Sequence, residues 1–302
     1  MNQDTRPSLG PTCLSTLFCH KLEAVLPHYC EHLALSIEQQ GPLEQAIAEL
    51  WQQPQLTGTP CALLANAAGE TWLRIVEVPD AQTTEPLKQF GWMALEVSVQ
   101  TVDELAARLD DSVFEVLRPP ADLDISDQLR ACQVQGPSEE VFYFTEIKGE
   151  VPGFELSPAR CPVDRLFIPV LCSPDRSASS AFYDQFPGTR SQSFDTVVTV
   201  VNQAWGLPLE TRQPIATVTL NGGNLIEIDE LPQAAPRGAD NRLSTGIASI
   251  SFLVEDLDLP TAALHSAPRR IDCAPYNGRR AAFTMGPAGE WVELVEQVQP
   301  AG

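Results

Sequence analysis

The stretch GIASISFLVED at 246–256 alternates apolar with small residues and ends in acids, and GPAGEWVELVE at 286–296 leaves a Gly-Pro turn for a second alternating run. A period of two marks both as strands with one face buried. Neither stretch is unique in the chain. A shift of 155 lays Gly91 on Gly246, Val99 on Val254, Asp103 on Asp258, Ala107 on Ala262 and Leu109 on Leu264. A shift of 150 lays GPSEEVFYFTE (136–146) on GPAGEWVELVE, matching Gly136, Pro137, Glu140 and Glu146 to their counterparts. A shift of 153 lays LRIVEVP (73–79) on IEIDELP (226–232) and Cys19 on Cys172. Shifts that differ by a few residues are what a duplication gives when loops absorb the insertions.

Outward from these anchors the chain reads as four βαβββ modules. In the first, residues 21–52 carry apolar positions at helical spacing (Leu22, Val25, Leu26, Tyr29, Leu33, then Leu43, Ile47, Leu50, Trp51) broken by Gly41-Pro42, and CALLANAAG and ETWLRIVEVP follow as a hairpin. In the second, GWMALEVSV is a strand, VDELAARLDD an amphipathic helix, and FEVLRPP, LRACQVQGP and EVFYFTEI three strands. The third has DRLFIPVL as strand, SASSAFYDQF as helix, and TVVTVV, IATVTL and NLIEIDELP as strands; the fourth has the opening strand, LPTAALHS as helix, and strands ending in GEWVELVEQV. Residues 149–162, GEVPGFELSPARCP, hold no period and are read as a linker. The expected organisation is therefore a first domain at 1–148 (modules 11–80 and 91–148) and a second at 163–302 (modules 163–232 and 246–298).

Forty acidic residues against nineteen basic ones, a net charge of -21, would repel phosphate backbones and anionic lipid, so neither nucleic acid nor membrane is an expected partner. No apolar run approaches a membrane span and the first residues lack a secretory pattern, which places the chain in the cytoplasm as an expectation. The eight cysteines form no C-x-x-C pair and read as reduced thiols. The nearest metal-like grouping, Cys19-His20 followed by His28, Cys30 and His32, is accounted for by one amphipathic helix and its approach. No G-x-S-x-G, Walker or dinucleotide motif is present.

GIASISFLVEDLD and GPAGEWVELVE resemble the opening and closing strands of a module of the vicinal oxygen chelate superfamily, which holds glyoxalases, bleomycin-resistance proteins and extradiol dioxygenases. The resemblance implies an α+β fold with modules paired, one pair per half, into two glyoxalase-like open barrels, and a divalent metal held by His, Gln or Glu from the first and last strands of each module. Carried over, the first-strand position falls near Thr12, at Ala94, at Arg165 and at Ser249; the last-strand position falls at Arg74, Tyr143, Glu227 and Glu293. No histidine stands at any of them, and His20, His28, His32 and His265 all lie elsewhere. Two glutamates and a hydroxyl are too few donors for a labile dication, and Arg165 in the same space would compete for them, since two unit charges about 4 Å apart interact by roughly 4 kcal/mol at an effective dielectric near 20. An ion pair centred on Arg165 is thus expected in the second half, with Glu227 and Glu293. In the first half, Arg74 and Tyr143 are expected to face a cavity without a carboxylate, suited to a planar oxyanion.

On this reading the protein binds a small anionic or aromatic metabolite without a cofactor, in a cavity walled by Trp92, Trp72 and Trp291. Whether it is an enzyme is left open. The alternative is a divalent-metal lyase, isomerase or dioxygenase of the same superfamily, and a third is a scaffold whose own side chains fill its pockets; a homodimer is compatible with each. Simpler readings stand beside the sharp ones: tryptophans as core, Glu227, Glu293 and Arg74 as solvated strand charges, and Arg130 and Gln133 as surface polar groups.

Overall fold

A computed structural model describes residues 8–123, 126–151, 155–238, 242–258 and 264–297. Module one is β1 (Leu9–Cys19), α1 (Leu22–Leu33), β2 (Ser36–Pro42), α2 (Gln45–Leu50), β3 (Pro60–Ala65) and β4 (Thr71–Glu77). Module two is β5 (Gly91–Val99), α3 (Val102–Leu109), β6 (Glu115–Leu123), β7 (Ser126–Gln135) and β8 (Val141–Ile147). Module three is β9 (Val163–Ser173), α4 (Arg176–Tyr183), β10 (Arg190–Val197), α5 (Thr199–Ala204), β11 (Arg212–Thr219) and β12 (Leu225–Glu230). Module four is β13 (Gly246–Val254), β14 (Arg269–Ile271), β15 (Arg279–Met285) and β16 (Trp291–Glu296). The helix expected at LPTAALHS falls largely outside the described residues. None of the described helices is long and apolar enough to cross a membrane.

The strands form two eight-stranded sheets, ordered β14-β15-β16-β13-β1-β4-β3-β2 and β10-β11-β12-β9-β5-β8-β7-β6. In each module the first strand runs parallel to the last, and first strands meet antiparallel at the centre, with Thr16 opposite Ser249 and Ala94 opposite Val170. The pairing corrects the expected one. Module one joins module four and module two joins module three, so each sheet takes one module from each half of the sequence. This pairing brings Arg74 against Glu293, an ion pair that pairing within halves would leave unmade, with a buried guanidinium lacking its anion.

Apolar residues of both sheets and of α1, α3 and α4 meet in one core, containing Leu17, Tyr29, Trp92, Phe142, Phe144 and Phe252. Trp92 does not line the large cavity of the second sheet. It lies in this core, its indole N–H donating to the Trp291 carbonyl at 2.7 Å and its ring 6.1 Å from Phe252. The two connectors between modules run side by side, bridging Gln82 to Ser244 and Gln89 to Ala235, and the half-buried Arg237 guanidinium donates to the carbonyls of Trp92 and Thr245.

Tyr29 of α1 donates to buried Glu140 at 2.6 Å, and Tyr183 of α4 donates to buried Glu290 at 3.1 Å. Both glutamates sit in the Gly-Pro turns that the repeat superposes. The duplication thus extends to its buried polar pairs.

Candidate functional site

The last-strand positions read from the sequence do point inward, but they assemble across the new pairing. In the first sheet Arg74 and Glu293 form an ion pair at 2.7 Å with side chains 1% and 0% exposed. Arg74 Nε donates to Thr16 Oγ1 at 3.0 Å and Nη1 to Tyr276 OH at 3.1 Å. Tyr276 OH and Ser251 Oγ donate to Glu293 Oε2 at 2.7 and 2.8 Å, and the Trp51 indole N–H donates to Oε1. The guanidinium carbon lies 4.7 Å from the centre of the Trp51 ring, within cation–π range. Burial opposes the Arg74 charge, but Tyr276 and Glu293 outweigh it and its pKa lies above the ordinary value. Both Glu293 oxygens and all three guanidinium nitrogens of Arg74 have partners, and the interior of this half holds Phe18, Leu50, Trp51, Tyr276 and Phe283.

The second sheet curls far enough that its two end strands, β6 and β10, face one cavity of about 250 Å³. Tyr143 and Glu227 stand where the first sheet has its ion pair. Around them the lining includes Glu96, Gln133, Thr145 and Thr217, with apolar walls from Leu129, Ile168, Val200, Ile215 and Leu225 and with Arg118 and Asp122 also contributing. Thr145 Oγ1 donates to Glu96 Oε1 at 2.7 Å. Burial, and then the charge of Glu227, push the Glu96 carboxyl up to about 8. Asp229, two residues along the same strand face, is fully buried and meets no N–H or O–H from another side chain or backbone. Burial, and then the charge of the neighbouring Glu227 carboxyl, raise Asp229 well above its ordinary range, and burial raises Glu227 as well. Tyr143 OH has no partner, and burial followed by Asp229 and Glu227 raises it too. A carboxyl that keeps its proton near neutrality can donate a hydrogen bond or a proton to a bound molecule.

The short helices explain why one half is closed and the other open. Trp51 follows α2 and Trp205 follows α5, in corresponding places. Trp51 turns in over Arg74, whereas Trp205 sends its indole N–H to the Leu87 carbonyl at 3.1 Å and leaves the space before Glu227 clear.

Several expected placements are corrected. Arg165 centres no ion pair; it is half-buried, while Ile168 of the same strand lines the cavity. Glu227 and Glu293 lie in different sheets, as do Arg74 and Tyr143. Thr12 binds Asn224 at 2.7 Å at the junction of the sheets and faces neither interior. Ala94 packs with Tyr143 and Val170 on the floor of the open half, and Ser249 is buried with a hydroxyl that meets no partner. Bulges caused these slips, because β1–β13 and β5–β9 both shift register along their length. Gln133 does line the cavity, and Arg130 lies outside it, paired with Asp103. Glu96, Trp51 and Tyr276 were missed; a single charged residue inside the apolar strand GWMALEVSV was the available signal for Glu96.

No family model matches the sequence, and no curated protein does. Solved structures do resemble it. Glyoxalase I from Zea mays superposes with a TM-score of 0.63 at 12% identity, covering 95% of this chain and 93% of that one. A putative dioxygenase from Bacillus subtilis gives a TM-score of 0.62 at 12% identity, covering 97% and 86%.

Proposed function

Since the chain has the duplicated fold of the vicinal oxygen chelate superfamily, we propose that it binds a small metabolite in the cavity of modules two and three, with modules one and four kept as a closed structural half. The observation that carries this reading is the contrast between equivalent positions: Arg74 and Glu293 occupy each other, whereas Tyr143 and Glu227 open on about 250 Å³ of space. Apolar walls with a few convergent polar groups are the usual make-up of a ligand site.

The oxyanion preference inferred for a pocket holding Arg74 does not carry over, because Arg74 is committed to Glu293. Glu96 and Glu227, which line the cavity, favour a ligand with an aromatic or aliphatic body and hydroxyl or amine donors. The superfamily's divalent metal fits this donor set poorly. Ala94 offers no ligand atom, Thr145 already holds one Glu96 oxygen, and burial raises both Glu227 and Asp229, which disfavours the charged carboxylates a dication needs. In the closed half a guanidinium takes the place a dication would need. These features support binding that does not depend on the family's metal.

A thermal-shift screen of small metabolites, followed by calorimetry, tests the proposal. A stabilising ligand should lose at least tenfold in affinity in Glu227→Gln and in Ala131→Phe, which fills the cavity, and should keep its affinity in Arg130→Ala. Affinity unchanged in both cavity variants would place binding elsewhere. Stoichiometric metal in untagged protein, lost in Glu227→Gln, would favour the metal-dependent lyase, isomerase or dioxygenase instead.

A further inference from the structure

Far from either half-barrel interior in the fold's logic, α1 carries the run His28-Tyr29-Cys30-Glu31-His32. Positions i, i+3 and i+4 share one helix face, with Cβ atoms about 5–6 Å apart. Tyr29 turns into the core at 0% exposure, which sends His28, Glu31 and His32 to the outer side, where the histidines are half-buried and the glutamate is exposed. One ligand atom from each lies within 4.8 Å of the others. The imidazoles are stacked, 5.9 Å between centres and 7° from parallel, and Phe114 packs edge-on against His32 at 6.1 Å. Two histidines one turn apart are a standard transition-metal pair.

We propose that His28, Glu31 and His32 form a binding site for a borderline divalent transition-metal ion of the zinc type. Three observations beyond the spacing support it. His28 Nδ1 is buried without a hydrogen-bond partner, an unmatched lone pair or N–H that costs free energy unless something occupies it. Among the described residues, Glu31 makes no ion pair, so its charge is available. The three residues also lie in the last turns of a twelve-residue helix, the end where the aligned peptide dipoles favour a cation.

Zinc–nitrogen bonds of about 2.0 Å in tetrahedral geometry put ligand atoms roughly 3.3 Å apart. Two imidazoles and one carboxylate leave a fourth position for water or an outside ligand. The site is independent of the cavity proposed for metabolite binding.

The experiment is titration of untagged, chelator-treated full-length protein with zinc chloride, read by calorimetry and by the shift in melting temperature. One equivalent should bind and raise the melting temperature. Glu31→Gln should weaken binding about tenfold, and His28→Gln with His32→Gln should abolish it. Glu227→Gln and Cys30→Ser should leave it unchanged. No binding by the parent protein, or equal affinity in the double histidine variant, would overturn the proposal. Circular dichroism of each variant separates lost binding from lost fold, and Glu31, being exposed, can change without disturbing the core.

Discussion

A guanidinium as deeply buried as Arg74 is stable only while its partners stay. Removing one member of a buried pair leaves the other charge uncompensated, at a cost of about 3–5 kcal/mol, whereas replacing both by apolar groups is often close to neutral. Arg74→Met and Glu293→Gln should therefore each destabilise by that amount in urea denaturation. Arg74→Met combined with Glu293→Leu should recover at least half of the loss, and simple addition of the single effects would contradict the account. Tyr143, Glu227 and Glu293 were legible because each follows its turn at the same distance along an unbulged strand, whereas the β3–β4 register shifts just before Arg74. Their partners across modules were not, since Tyr276 and Glu293 of module four meet Arg74 and Trp51 of module one only once the two modules are joined.

At the level of elements, what escaped the sequence was what lies at edges. β2 reads SIEQQGP and is almost wholly exposed, so it carries no alternation to find. The run TVVTVV was expected to be one strand, but it spans the end of β10 and the first half of α5, because a short apolar run does not declare its period. β6 keeps Pro119 and Pro120 by lying at the end of its sheet, where a missing N–H costs no ladder bond. By contrast the Gly-Pro turns were read correctly, and they anchor helices. Glu140 takes hydrogen bonds from Tyr29 and from the Ser138 N–H, and Glu290 from Tyr183 and the Ala288 N–H. Tyr29→Phe and Tyr183→Phe should each cost about 1–3 kcal/mol by leaving a buried carboxyl short of a donor. Gly136→Ala should act in the same direction, because its Cβ would collide with the Glu140 carboxyl. Melting temperatures of the three variants check this, and unchanged values would reduce the Tyr–Glu pairs to spectators.

Over the whole molecule the modules were legible and their partnership was not, because four similar edges can pair in more than one way and only side chains remote in sequence discriminate. The assembled fold then buries acids on a scale that the -21 charge makes consequential. Burial, first among the causes, pushes Glu96 and Glu140 up to about 8 and Glu290 up to about 7. In the unfolded chain these groups titrate near the ordinary glutamate value, about 4.3. The folded state therefore binds more protons than the unfolded state between that value and pH 7–8, and stability must fall as pH rises through this window. The contribution is complete below the unfolded value and gone above the folded ones. Its slope is on the order of 1 kcal/mol per pH unit for each group. The acids whose pKa is lowered, the exposed Glu23, Asp103, Asp122 and Asp258, the half-buried Glu49 and the buried Asp164, oppose it only at lower pH, and all but Asp164 are solvent-screened. Urea denaturation at pH 5, 6, 7 and 8 should show the midpoint falling steadily, and the combined Glu96→Gln, Glu140→Gln and Glu290→Gln variant should flatten the profile. A midpoint that rises from pH 5 to pH 8 would mean that these carboxyls ionise in the folded protein as freely as in water, and the closed packing around them would have to be wrong.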